Sequence, residues 1–155
     1  MIRPSEQAES RIGLWAVSVL QWVGTIKQIL KAGMFYFALV FAAGFVLGTI
    51  RTLWIVPHVG VRTAELMETP IMFAVIAFAA HWVAERLLLP PTVATRLGFG
   101  LVALSLLLIT EFTVVLWLRG LTIRKYLASR DPVAGTVYLV MLGVFALMPL
   151  LVVRR

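Results

Sequence analysis

The run Ala32-Gly-Met-Phe-Tyr-Phe-Ala-Leu-Val-Phe-Ala-Ala-Gly-Phe-Val-Leu-Gly-Thr-Ile50 holds 19 residues without a charge. After Arg51 it resumes as Thr52-Leu-Trp-Ile-Val56 and meets Pro57. About 20 apolar residues carry a helix across the hydrocarbon core of a bilayer, so residues 33–56 read as a first span. Working outward, Pro57-His58-Val59-Gly60 reads as a turn, with Pro57 stopping one helix and Gly60 relaxing the backbone. A second span follows at 61–87. Its charge-free part, Thr69 to Ala84, has 16 residues, about 24 Å of helix. The turn before it must therefore sit near headgroup level, and Pro70 predicts a kink. A third span, 97–118, is interrupted only by Glu111. Residues 119–130 form a basic connector, readable as an amphipathic helix. Asp131-Pro132 then supplies a cap and first turn for a fourth span, 132–153, anchored by Arg154-Arg155.

Composition agrees with this reading. Of 155 residues, 61% are hydrophobic and 14% charged, against about 45–50% and about 25% in an ordinary soluble domain. Mean hydropathy is +0.99. A soluble domain of this size has no room to hide so much apolar surface. The expected fold is an all-α membrane protein, a four-transmembrane-helix bundle in residues 32–155, preceded by an N-terminal amphipathic segment in residues 1–31. There, Ser18, Gln21, Thr25 and Gln28 recur at helical spacing, and Trp15 and Trp22 suit headgroup depth, so this helix is expected to lie in the membrane interface. The alternative is a fifth, short span over residues 12–26. No cleavable signal peptide, internal repeat or second domain is expected.

Lys and Arg total 14 and Asp and Glu 7, a net charge of +7. Most of the cations flank apolar runs, where they act as lipid anchors and topology signals. No nucleic-acid motif accompanies them, so nucleic acid is not an expected partner; the lipid bilayer is, with a homo-oligomer or a larger membrane complex possible. With four spans both termini share one end of the bundle. That end carries eight basic residues and the other, holding the 51–62 turn, six, of which Arg51 and Arg62 sit near the membrane. The positive-inside rule then places both termini in the cytoplasm of a bacterial inner membrane. The chain has no cysteine, which removes thiol chemistry. No phosphate loop, dinucleotide fingerprint or serine elbow occurs, and no cofactor or catalytic residue is expected.

Charges inside spans are costly and point to function by default. Arg51, Glu65, Glu68 and Glu111 all fall within about 6–11 Å of the same membrane face when counted along their helices. Three helices thus present complementary charges at one depth, with Arg62 nearby. Three carboxylates served by Arg51 and Arg62 cannot all be paired, and Glu111, with no basic neighbour in sequence, is the acid expected to reach water or keep a proton. Gly44 and Gly48 share a helix face with Arg51 and form a Gly-x-x-x-Gly pattern, which predicts close packing on a neighbouring helix. His58 could pass protons to the cluster. His58 and His81 lie 23 positions apart, roughly 30 Å along a helix, so they cannot share a metal, and no metal site is expected.

Three functions compete. One is a non-enzymatic accessory or assembly protein held together by the Arg–Glu cluster. Another is a small channel or carrier for protons, ions or solutes using Glu111 and Glu68. The last is an intramembrane enzyme.

Two stretches carry a resemblance: Gly44-Phe-Val-Leu-Gly-Thr-Ile-Arg51 continuing to Ala64-Glu-Leu-Met-Glu-Thr-Pro-Ile-Met72, and Tyr126-Leu-Ala-Ser-Arg-Asp-Pro-Val-Ala-Gly-Thr-Val-Tyr138. Over residues 33–153 the chain resembles a family of small uncharacterised bacterial four-span inner-membrane proteins, which implies an inner-membrane location and no particular activity. More loosely, Arg62, Glu68 and Pro70 are similar to the pattern of the four-helix membrane-associated eicosanoid and glutathione metabolism family. That resemblance implies glutathione binding and, as the enzymatic alternative, a glutathione-dependent membrane enzyme. The asparagine of that pattern is absent, and Glu65 is extra.

Overall fold

The computed structural model describes residues 4–115 and 132–152, with side chains from residue 20 onward except 114 and 115. Every element among them is helical. Helix α1 spans Pro4–Ile50 and passes into a π-helical turn, Arg51–Ile55, and a short helix α2, Val56–Val59. Helix α3 is Val61–Arg86, α4 is Val93–Thr110 followed by a second π turn, Glu111–Val115, and α5 is Pro132–Leu151. Four stretches are long and apolar enough to cross a membrane: Leu20–Val59, Val61–Arg86, Val93–Thr113 and Pro132–Leu151.

Helix α1 packs on α3 and α4, and α5 packs on the same two, so the order around the bundle is α1, α3, α5, α4. Consecutive helices α3 and α4 therefore stand diagonally, and so do α1 and α5. The packed core occupies the end of the bundle away from Arg51. It is built from Ala32, Tyr36 and Val40 on α1, Ile76, Ala80 and Val83 on α3, Phe99 and Ala103 on α4, and Phe145 and Met148 on α5. Alanines and glycines at the crossings let the backbones close in, as expected where lipid removes the hydrophobic drive between helices. The outside is the reverse of a soluble protein's: Phe45, Trp54 and Phe78 are each about 70% exposed or more, an arrangement that suits hydrocarbon and not water.

Three expectations need correction. No boundary separates residues 1–31 from the first span: α1 is one helix through Lys27, Lys31 and Gly33. Lys27-Gln-Ile-Leu-Lys-Ala32 are good helix formers with no proline, so nothing bends the chain into a membrane plane. Pro57 does not stop the first span; the helix ends at Gly60, whose φ of 81° and ψ of 162° break the ladder. A proline ring clashes with the carbonyl four residues back. The π turn just before Pro57, where the Val56 N–H bonds the Arg51 carbonyl, widens the helix and removes that clash. The third span begins at Val93 and not at 97, because Thr92 caps it: Thr92 Oγ1 accepts from the Thr95 N–H at 3.3 Å. The basic connector at 119–130, the Asp131 cap, the end of the third span near Leu118 and the Arg154-Arg155 anchor lie outside the described residues.

Candidate functional site

The half of the bundle that holds the charges is hollow. A cavity of about 550 Å³ lies between the helices, and all four of α1, α3, α4 and α5 wall it. Arg51, Glu65, Glu68 and Glu111 all open onto it. Arg51 ends the long α register of α1 and begins its π turn; Glu111 stands in the same position relative to α4. A π turn adds a residue to the helical circuit, re-aims the side chains that follow, and recurs at functional sites.

Across the α1–α3 contact, Arg51 Nη1 lies 2.8 Å from Glu68 Oε2 and 3.8 Å from Glu65 Oε1. One guanidinium thus serves two acids, the nearer as a contact ion pair. The pair is not sealed off: the side chains of Arg51 and Glu68 keep 27% and 14% of their exposure. Glu68 Oε2 itself is out of solvent and meets no aligned hydrogen-bond donor, so its contact with Arg51 is an ionic approach and not a straight N–H···O bond. On the opposite wall, the Tyr138 hydroxyl of α5 donates to Glu111 Oε2 of α4. The cavity therefore joins an ion-paired wall to a hydroxyl–carboxylate wall, with apolar side chains between.

Below the charges the cavity has a floor. The Tyr36 ring stacks on Phe145 with centroids 4.6 Å apart and meets Phe99 edge-on at 5.8 Å. Its hydroxyl donates to the Phe145 carbonyl at 3.0 Å. All three residues are essentially fully buried. Arg51 lies 15 residues beyond Tyr36 on α1, about 22 Å along the axis. The cavity is thus closed on the Tyr36 side by packed rings.

The remaining residues singled out in the sequence fall elsewhere. Arg62 is exposed and off the cavity wall. His58 is exposed too, with Nδ1 at 2.7 Å from the Trp54 carbonyl one turn back, so it lies outside the chamber. Gly44 and Gly48 do not bring two backbones together. A Cβ at Gly44 would meet only the Met72 side chain at 3.4 Å, and at Gly48 it would meet nothing within 4 Å. Both line the cavity, where the missing side chains leave volume. The tight crossings are at Gly33, against Val102 and the Phe99 carbonyl, and at Gly100, against the Ala146 carbonyl.

Two residues escaped sequence reasoning. Tyr138 shares one face of α5 with Ala134, Met141, Leu142 and Phe145, spaced at one and two turns, so its inward position was readable. Its pairing with Glu111 was not. Arg96 read as a headgroup anchor, but it stands on the core face of α4 with Thr95, Phe99, Gly100 and Ala103, only 5% exposed. Its Nε and Nη1 have no hydrogen-bond partner.

Comparison with known proteins gives no match: no family model, no curated protein and no solved structure is similar to the chain.

Proposed function

We propose that this chain is a multi-pass protein of the bacterial inner membrane, with both termini cytoplasmic, that binds a small solute or protons in its charged chamber and carries them. The cavity is the observation that supports this reading. Interiors pack to crystal density, and a polar lock that only fixes helix register has no use for 550 Å³ of open space beside its ion pair. The plug of Tyr36, Phe99 and Phe145 favours a carrier over a continuous pore, because a pore needs no floor.

Proteoliposomes holding a trapped pH dye test the proposal. Wild-type protein should collapse an imposed pH step several-fold faster than protein-free vesicles. Glu111→Gln should remove the effect by taking a titratable group off the wall, and Gly48→Leu by filling the chamber. Both variants should keep the thermal midpoint. Wild-type vesicles that hold the gradient as long as empty ones would overturn the carrier reading.

The assembly reading is favoured by a specific observation, the 2.8 Å Arg51–Glu68 contact between α1 and α3. It calls for the opposite flux result: wild-type vesicles that hold the gradient as long as protein-free ones. The glutathione reading draws on Arg62 and Glu68 together, and Arg62 is not on the cavity wall.

A further inference from the structure

Resting on the reading of the chamber as a ligand site, we infer that the molecule it receives is an organic cation: an ammonium head on a small apolar body. The argument begins with charge. On the α1–α3 wall two carboxylates, Glu65 and Glu68, share one guanidinium, at 3.8 Å and 2.8 Å. One positive charge cannot neutralise two negative ones, so among the described residues this wall carries a net negative charge. An entering anion is repelled there. A neutral molecule leaves the excess uncompensated in a region of low dielectric, where that is costly. A cation balances it.

Hydrogen bonding points the same way. Glu68 Oε2 is shielded from solvent and lacks an aligned donor. The Arg51 guanidinium already stands beside it, but its donors are fixed in a planar fork. An ammonium is a compact charge with donors that rotate freely to meet such an oxygen.

Size and lining separate an organic cation from a metal ion. Among the described residues no three His, Cys, Asp or Glu side chains converge as a metal-binding set. The chamber is far larger than an ion, and about 300–1,000 Å³ is the range of small-molecule pockets. Apart from its charged groups the wall is apolar, with Val40, Phe41, Phe45, Met72, Ile76 and Leu142 among its residues. Phe41 also brings an aromatic ring to the lining, and such rings attract cations.

The natural absence of cysteine makes the test direct. Gly48→Cys places a single thiol on the cavity wall where a Cβ has open space. Leu88→Cys places one on the loop after α3, at a residue 87% exposed. Each variant, in lipid nanodiscs, is reacted with two small methanethiosulfonates, one bearing trimethylammonium and one bearing sulfonate. The cation-to-anion rate ratio at Gly48→Cys should exceed that at Leu88→Cys by about ten-fold or more, since an acidic cleft concentrates cations. Adding Glu68→Gln or, separately, Glu65→Gln should pull the ratio back toward the loop value while the Leu88→Cys rates hold. Butylammonium should slow labelling at Gly48→Cys and not at Leu88→Cys. Equal ratios at the two positions would overturn the cation assignment and leave the chamber standing. No reaction at Gly48→Cys with either reagent, beside normal labelling at Leu88→Cys, would bring down the cation assignment and the ligand-site reading together.

Discussion

Arg51 answers to two acids, and its distances rank them. Glu68 at 2.8 Å is a contact partner, and Glu65 at 3.8 Å sits at the edge of ion-pair range. Removing the cation leaves Glu68 facing a low-dielectric wall alone, which costs more than the pair contributed. Arg51→Met should therefore lower the unfolding free energy in micelles by about 1–3 kcal/mol, discounted from the fully buried case because both groups keep some exposure. Arg51→Met with Glu68→Gln should recover most of that loss, since the stranded charge goes too. A double-mutant cycle measures the coupling, and a coupling near zero would show that the contact carries no stability. Leu88 poses a different single-residue problem. The Leu89 N–H bonds the Ala84 carbonyl and the Leu88 N–H the Glu85 carbonyl, the two bonds of a Schellman cap. Leu88 occupies its left-handed position at φ 47°, where a side chain costs about 1–2 kcal/mol and glycine does not. Being 87% exposed, it has little packing to lose, so Leu88→Gly should raise stability by about 1 kcal/mol in the same assay.

At the scale of the helices, four apolar runs were enough to predict four helices long and apolar enough to cross a membrane, because length and hydropathy are read directly from sequence, but the first such stretch begins at Leu20 and not at residue 33. Which helix faces which was not legible. Gly44-x-x-x-Gly48 is a stronger packing pattern than anything around Gly33 or Gly100, yet the close crossings are at the latter two. A pattern on one helix says that an approach is possible; the partner's shape decides where it happens. Met72 stands opposite Gly44 and holds α3 off, while at Gly100 the Ala146 backbone comes into contact. The consequence is measurable. At Gly100 an added methyl runs into a backbone carbonyl that has no rotamer to move, so Gly100→Ala should cost about 3 kcal/mol or more, in the range of severe overpacking, or abolish the fold. Gly48→Ala, whose Cβ meets nothing within 4 Å, should instead raise stability by about 0.5–1 kcal/mol, since glycine inside a helix costs that much relative to alanine. The same logic explains the site. Depth along each helix brought Arg51, Glu65, Glu68 and Glu111 to one level by counting residues, and all four do line one chamber. Arg62 and His58 are not on its wall, and the pairing of Glu111 with Tyr138 depends on the α4–α5 register.

Over the whole molecule, the length of α1 sets a constraint that no local feature reveals. Its 47 residues make about 70 Å of helix, and a bilayer's hydrocarbon is about 30 Å thick. A tilt cannot absorb so large an excess, so a large part of α1 must stand outside the hydrocarbon. Packing shows which part. The inward contacts of α1 begin with Ile29 against Gly98 and Gly33 against Val102, whereas residues 20–24 are exposed. Lys27 and Lys31 lie at this transition and can anchor it at headgroup level by extending their ammonium groups outward. The bundle's stability should then reside in residues from about 27 onward. Deleting residues 1–22 should leave the thermal midpoint in micelles within about 2 °C of the full chain's, because no buried contact of the described side chains is removed. A fall of about 10 °C or more would place the start of α1 against the bundle. The deletion should likewise leave the pH-step assay unchanged, since the chamber draws its α1 wall from Val40 onward, beyond the Tyr36 plug and at the far end of the helix from the cut.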